Sequence, residues 1–97
     1  MLIKTQKLNG ETYFVIPEKV CAWEIRESVR NGMARVDLWA FTGNECCDPL
    51  WMGAFESVQK ATDWLGMMQV GMTSGRQFMA VPRLSEQNIE KESATWD

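Results

Sequence analysis

Five acids, Asp37, Glu45, Asp48, Glu56 and Asp63, fall between residues 37 and 63 beside a single base, Lys60, in a chain of formal charge −3. Carboxylates at that density can act as a general acid and base across a cleft, or they can face a basic partner as a row of charge. Glu45 and Asp48 lie in the turn-rich stretch TGNECCDP at 42–49, where acids ordinarily accept backbone N–H bonds, so a catalytic pair is not indicated. Histidine is absent, which removes the commonest general base and the commonest metal ligand together. Cys21, Cys46 and Cys47 are odd in number, and two are adjacent. That pattern makes neither a disulfide framework nor a good zinc site, and no base stands ready to activate a thiol. GMTSG at 71–75 follows a helix rather than opening one, so it is no phosphate loop. These residue types predict no enzyme, no cofactor and no metal. Free thiols and the absence of an apolar leader in MLIKTQKL predict a reducing, cytoplasmic setting with no membrane contact.

Aromatics supply the other candidate chemistry. Five Trp in 97 residues exceed what a small core ordinarily carries, and large aromatics are preferred interface anchors. Trp39 and Phe41 are the pair in question, because the strand that must position them turns them away from the apolar side.

That strand belongs to a hairpin. Residues 20–30 alternate, Asn31-Gly32 supplies a two-residue turn, and residues 33–41 alternate back. The short loop predicts that Arg30 faces Met33, Arg26 faces Asp37, Ile25 faces Leu38 and Trp23 faces Ala40. One side then carries Trp23, Ile25, Val29, Ala34, Val36, Leu38 and Ala40, with Glu27 as an intruder and Cys21 as a small buried residue. The other side carries Glu24, Arg26, Ser28, Arg30, Arg35 and Asp37, with Trp39 and Phe41 at its far end. A helix beginning at Pro17 is the competing reading, but its apolar stripe would be poor.

Residues 2–8 and 11–16 read as a first hairpin about Asn9-Gly10, pairing Ile3 with Ile16 and Thr5 with Phe14, with Ile3, Phe14 and Ile16 facing the core. Leu50 to Phe55 reads as a short apolar strand, with Gly53 at a bulge or beneath a close-packed helix. Ser57 caps a helix running to about Val70, with Val58, Ala61, Leu65 and Met68 as its stripe, Trp64 flanking it and Gly71 ending it. Residues 78–81 read as an edge strand ended by Pro82. The expected architecture is α+β: one antiparallel sheet of five or six strands with one amphipathic helix on one face, forming a single domain over 1–82. Residues 83–97 make an acidic C-terminal tail, read equally as a short helix capped by Ser85 or as a mobile segment.

W-E-I-R at 23–26 and L-W-M-G-A-F-E-S-V-Q-K-A-T-D-W-L at 50–65 resemble the strand–helix pattern of plant Apetala-type DNA-binding domains and of the arm-type domains of tyrosine recombinases. That resemblance implies DNA contact through Arg26, Arg30 and Arg35. The meander with Asn-Gly turns, F-E-S at 55–57 and W-L at 64–65 are also similar to small phage-encoded anti-CRISPR proteins. That resemblance implies a phage or mobile-element inhibitor that docks on a host protein or ribonucleoprotein complex with a basic groove. The acids Asp37, Glu45, Asp48, Glu56 and Asp63 would stand in for phosphates, with Trp39 and Phe41 as anchors. The acidic balance favours this over direct nucleic-acid binding. A third expectation is an accessory subunit that completes its sheet against a partner.

Overall fold

The computed structural model describes residues 1–6, 10–30, 32–46 and 48–82, with Arg30 described through its backbone alone. The element order is β1 (Leu2–Gln6), β2 (Thr12–Val15), a 3-10 turn (Pro17–Lys19), β3 (Ala22–Arg30), β4 (Met33–Phe41), β5 (Leu50–Phe55), α1 (Val58–Thr73) and β6 (Phe78–Ala80). The fold is α+β, but the strands form two three-stranded sheets instead of one larger sheet. β3–β4–β5 is an antiparallel meander, while β2–β1–β6 pairs β1 antiparallel to β2 and parallel to β6. The expected tail at 83–97 lies outside the described residues.

The central hairpin has the register that its two-residue turn dictates. Arg30 pairs with Met33, Arg26 with Asp37, Ile25 with Leu38 and Trp23 with Ala40. Pro17 ends β2 and opens only a single 3-10 turn. Cys21 corrects the sequence reading, because it is exposed. Its N–H bonds the Phe41 carbonyl (2.7 Å), whose register partner is Ala22, so the alternation breaks there and Cys21 leaves the side that holds Trp23.

The first hairpin is slipped by one residue from the expected pairing. Ile3 pairs with Val15 and Thr5 with Tyr13. A one-residue slip exchanges the two sides of a strand. Val15 and Tyr13 therefore turn inward, and Phe14 and Ile16, expected in the core, are exposed.

α1 crosses the meander on the side of Val36, Leu38 and Ala40, and touches all three of its strands. Ser57 caps it, accepting from the Lys60 N–H at 3.2 Å. The buried stripe is Ala61, Trp64, Met68 and Gly71. It is therefore rotated from the expected one: Trp64 lies at its centre, Val58 is exposed, and the Trp64 ring tilts against Phe55 with centroids 6.2 Å apart. Gly71 does not end the helix. It lies inside the last turns, where a Cβ would sit 2.9 Å from the Met1 side chain, and the positive φ falls four residues later at Gly75.

The two sheets meet along the outer edge of β5. The Thr5 hydroxyl donates to the Met52 carbonyl and the Tyr13 hydroxyl to the Trp51 carbonyl. The expected bulge is present. The register steps from Leu38–Gly53 to Trp39–Trp51, leaving Met52 as the extra, fully buried residue. Gly53 has φ +148, and a Cβ there would lie 2.7 Å from Val81 Cγ1. Val81, not the helix, is what closes over it. Gly53→Ala is expected to cost about 2 kcal/mol in urea unfolding through strain and overpacking. Gly66→Ala, with open space around its Cβ, is expected to gain about 0.5–1 kcal/mol.

Candidate functional site

The side of the meander opposite α1 holds three of the residues that the sequence singles out, Asp37, Trp39 and Phe41, and its centre is a buried carboxylate. Asp37 is only 4% exposed. Ser28 Oγ donates to its Oδ2 at 2.9 Å, and Trp51 Nε1 donates to its Oδ1 at 3.1 Å. Arg35 Nη2 stands 3.1 Å from Oδ1, close enough for a charge contact. It is out of line for a hydrogen bond, and Arg35 Nε and Nη2 are buried without an acceptor among the described residues. Trp51 reaches this group because the bulge at Met52 turns it to the side of Trp39. Sequence reasoning missed Ser28, Arg35 and Trp51 as partners of Asp37; the Gly53 bulge was the available signal for Trp51.

Beside this centre, Glu24 grips Arg26 with both oxygens, at 2.5 and 2.9 Å. The Arg26 guanidinium lies 5.6 Å from the Trp39 ring centroid, and Trp39 and Phe41 are both half-buried. Glu24 is held below the usual carboxylate range by these Arg26 bonds. Arg26 and Arg35 are thus already matched by acids of this chain.

The remaining expected docking residues do not gather into one row. Glu45 is exposed in the loop after β4. In the same loop the Asp48 carboxylate accepts from the Thr42 N–H and hydroxyl and from the Gly43 N–H, at 2.7–2.9 Å. These bonds, first those from the Thr42 backbone, lower its pKa. Glu56 follows the opposite end of β5, about 20 Å away at strand rise, and pairs with Lys60 at 2.9 Å. Asp63 is exposed on the helix and accepts from Gln59 at 2.8 Å. Asp37 is inside. A continuous acidic stretch in the chain therefore becomes separate sites in space.

Two further surface features emerge. The β3–β4 hairpin outruns β5, whose pairing begins at Val36, and leaves an open cleft of about 550 Å³ beside the start of α1. Glu27, Ala34, Arg35, Glu56, Ser57 and Val58 help to line it. Glu27 pairs with the buried Val36, yet it is itself exposed where it lines this cleft. The second feature is the outward side of β2–β1–β6, where Leu2 (44% exposed), Phe14 (54%), Ile16 (42%) and Phe78 (49%) surround Lys4. Leu2 is directly beside Phe78, Lys4 is beside Phe14 and Ala80, and Ile16 lies one rung beyond the ladder, opposite Leu2. Among the described residues no three His, Cys, Asp or Glu side chains converge as a metal-ligand set, and no helix is long and apolar enough to cross a membrane.

Asp37→Asn should cost about 3 kcal/mol in urea unfolding, because Arg35 is left buried without its counter-charge. A loss under 0.5 kcal/mol would show that the contact contributes little. Asp48, whose folded pKa is depressed, contributes stability that is present above the unfolded carboxylate range and lost as pH falls through the folded value. Asp48→Asn should therefore flatten the acid limb of the stability profile, measured by thermal melts from neutral pH downward. No protein-family model, curated protein or solved structure matches this chain.

Proposed function

We propose that this protein works by docking, as a non-enzymatic inhibitor that occupies a surface of a host nucleic-acid-handling complex, anchored by the outward side of β2–β1–β6. The observation that carries this reading is the group of Leu2, Phe14, Ile16 and Phe78, four large apolar side chains exposed on one side of three short strands. Contiguous apolar surface of this kind marks contact sites, and two of the four residues are aromatic. The exposed acids Glu45 and Asp63 supply attraction toward the basic groove implied by the likeness to anti-CRISPR proteins. Charge of that kind speeds encounter, while the buried apolar contact sets how long the complex lasts. This divides the work differently from a pure phosphate mimic, which would need its acids side by side.

Direct DNA binding through Arg26, Arg30 and Arg35 draws less support. Arg26 is held by Glu24 and Arg35 lies against Asp37, so little free positive potential remains at those two positions for phosphates.

The test compares wild-type protein with a Phe14→Asp/Phe78→Ser double variant against the complex it retains from a bacterial lysate. Both side chains are about half exposed, so the variant should keep its melting temperature while its affinity falls at least tenfold. A Glu45→Lys/Asp63→Lys variant should instead slow association and flatten its salt dependence. Undiminished affinity in the first variant would overturn the proposed anchor.

A further inference from the structure

β3 has a strand on one side only among the described residues, so its second edge is a nine-residue row of backbone donors and acceptors. Which residues direct those groups outward follows from the turn. A two-residue connection makes Arg30–Met33 a hydrogen-bonded pair, and such pairs recur at every second rung back along the ladder. The bond from Cys21 N–H to the Phe41 carbonyl agrees, because it shows that carbonyl turned toward β3. Ala22, Glu24, Arg26 and Ser28 therefore bond inward to β4. Trp23, Ile25, Glu27 and Val29 present their N–H and C=O groups at the free edge.

The geometry points to a symmetric dimer in which β3 pairs antiparallel with β3 of a second copy, about a two-fold axis at Ile25. A two-fold antiparallel ladder can be centred on any residue of the strand, and charge separates the possibilities. Centring on Glu24, Arg26 or Glu27 sets a like charge opposite itself, and centring on Ser28 sets Arg26 opposite Arg30. Centring on Trp23 or Val29 leaves few rungs. With the axis at Ile25, the two Ile25 residues exchange backbone bonds, and Trp23 lies opposite the partner's Glu27. Glu24 then lies opposite the partner's Arg26, and Arg26 opposite the partner's Glu24. Those two rungs are of the non-hydrogen-bonded kind, whose side chains approach most closely. Three outward pairs supply about six backbone hydrogen bonds. The Glu24–Arg26 pair, made within one strand in the single chain, becomes a four-charge cluster of alternating sign on the same side as Trp39. The interface is isologous, the commonest kind among soluble oligomers. It lies on the other sheet from the apolar anchor proposed above and does not depend on it.

Sedimentation equilibrium of the full chain at rising micromolar concentration tests this. Wild type should approach twice the 11.1 kDa chain mass. Glu24→Arg alone and Arg26→Glu alone should each remain monomeric, because each sets like charges opposite one another in a self-pair. Mixing the two variants should restore the dimer, since every charged rung then joins Arg to Glu. Circular dichroism of each variant confirms that a loss of mass is not a loss of fold. Phe14→Asp should leave the dimer intact. Wild type that stays at 11.1 kDa overturns the inference, as do single variants that still dimerise or a mixture that fails to recover. A dimer abolished by Phe14→Asp would move the contact to the outward side of the N-terminal sheet.

Discussion

Two side-chain hydroxyls join the halves of this molecule. Thr5 and Tyr13 donate to consecutive backbone carbonyls, Met52 and Trp51, on the outer edge of β5. A strand edge left bare inside a fold would carry unsatisfied acceptors, and continuing the ladder is the usual remedy. Here side chains meet the carbonyls, so the six strands among the described residues divide into two sheets. The joint also explains the bulge beside it. Met52, as the extra residue, turns wholly into the core, and Gly53 lets Val81 approach its backbone. Tyr13, pushed above its ordinary pKa by burial, stays a donor throughout the physiological range. β6 fastens the same joint from the other side, since Val81 N–H bonds Lys4 O and Trp64 Nε1 bonds Ala80 O.

The far side of the meander follows a different rule, in which charge is answered within the chain. Asp37 is buried yet held by Ser28, Trp51 and Arg35, and Glu24 clasps Arg26 above Trp39. A buried carboxylate with three partners holds strands β3, β4 and β5 in one register, because sliding any of them would strand a charge. The same economy leaves two quite different features at the surface. The outward side of the N-terminal sheet offers apolar area with no directional demand, suited to a partner of complementary shape. The edge of β3 offers backbone hydrogen bonds with a strict parity, suited to another strand. Arg26 and Arg35 are answered by Glu24 and Asp37, and Trp51 and Trp64 spend their N–H groups on Asp37 and Ala80 within the chain.

How far the fold was legible depends on where the constraint sits in the chain. The central hairpin could be written rung by rung because its turn is two residues long and its sides differ sharply in polarity. The first hairpin could not. Its sides are alike in polarity, with Phe14 and Ile16 as apolar as Tyr13 and Val15, so alternation alone does not select between registers one residue apart. The helix cap at Ser57 and the bulge at Gly53 were visible because each depends on one residue's own chemistry. The stripe of α1 was displaced because Trp64 outweighs Val58 once a sheet with Phe55 lies beneath it.

By itself the chain determined the class of fold, the β3–β4 register and its polar side, because turn geometry and alternation act over a few neighbouring residues. Tertiary structure alone decided that β6 joins β1 in parallel across most of the chain, that two sheets form in place of one, and that Asp37 is buried while Phe14 is exposed. It also decided that acids adjacent in sequence part company in space. The physical reason is the same in each case. These outcomes turn on which distant groups compete for an edge, a cavity or a charge, and such competition exists only after the chain has closed on itself.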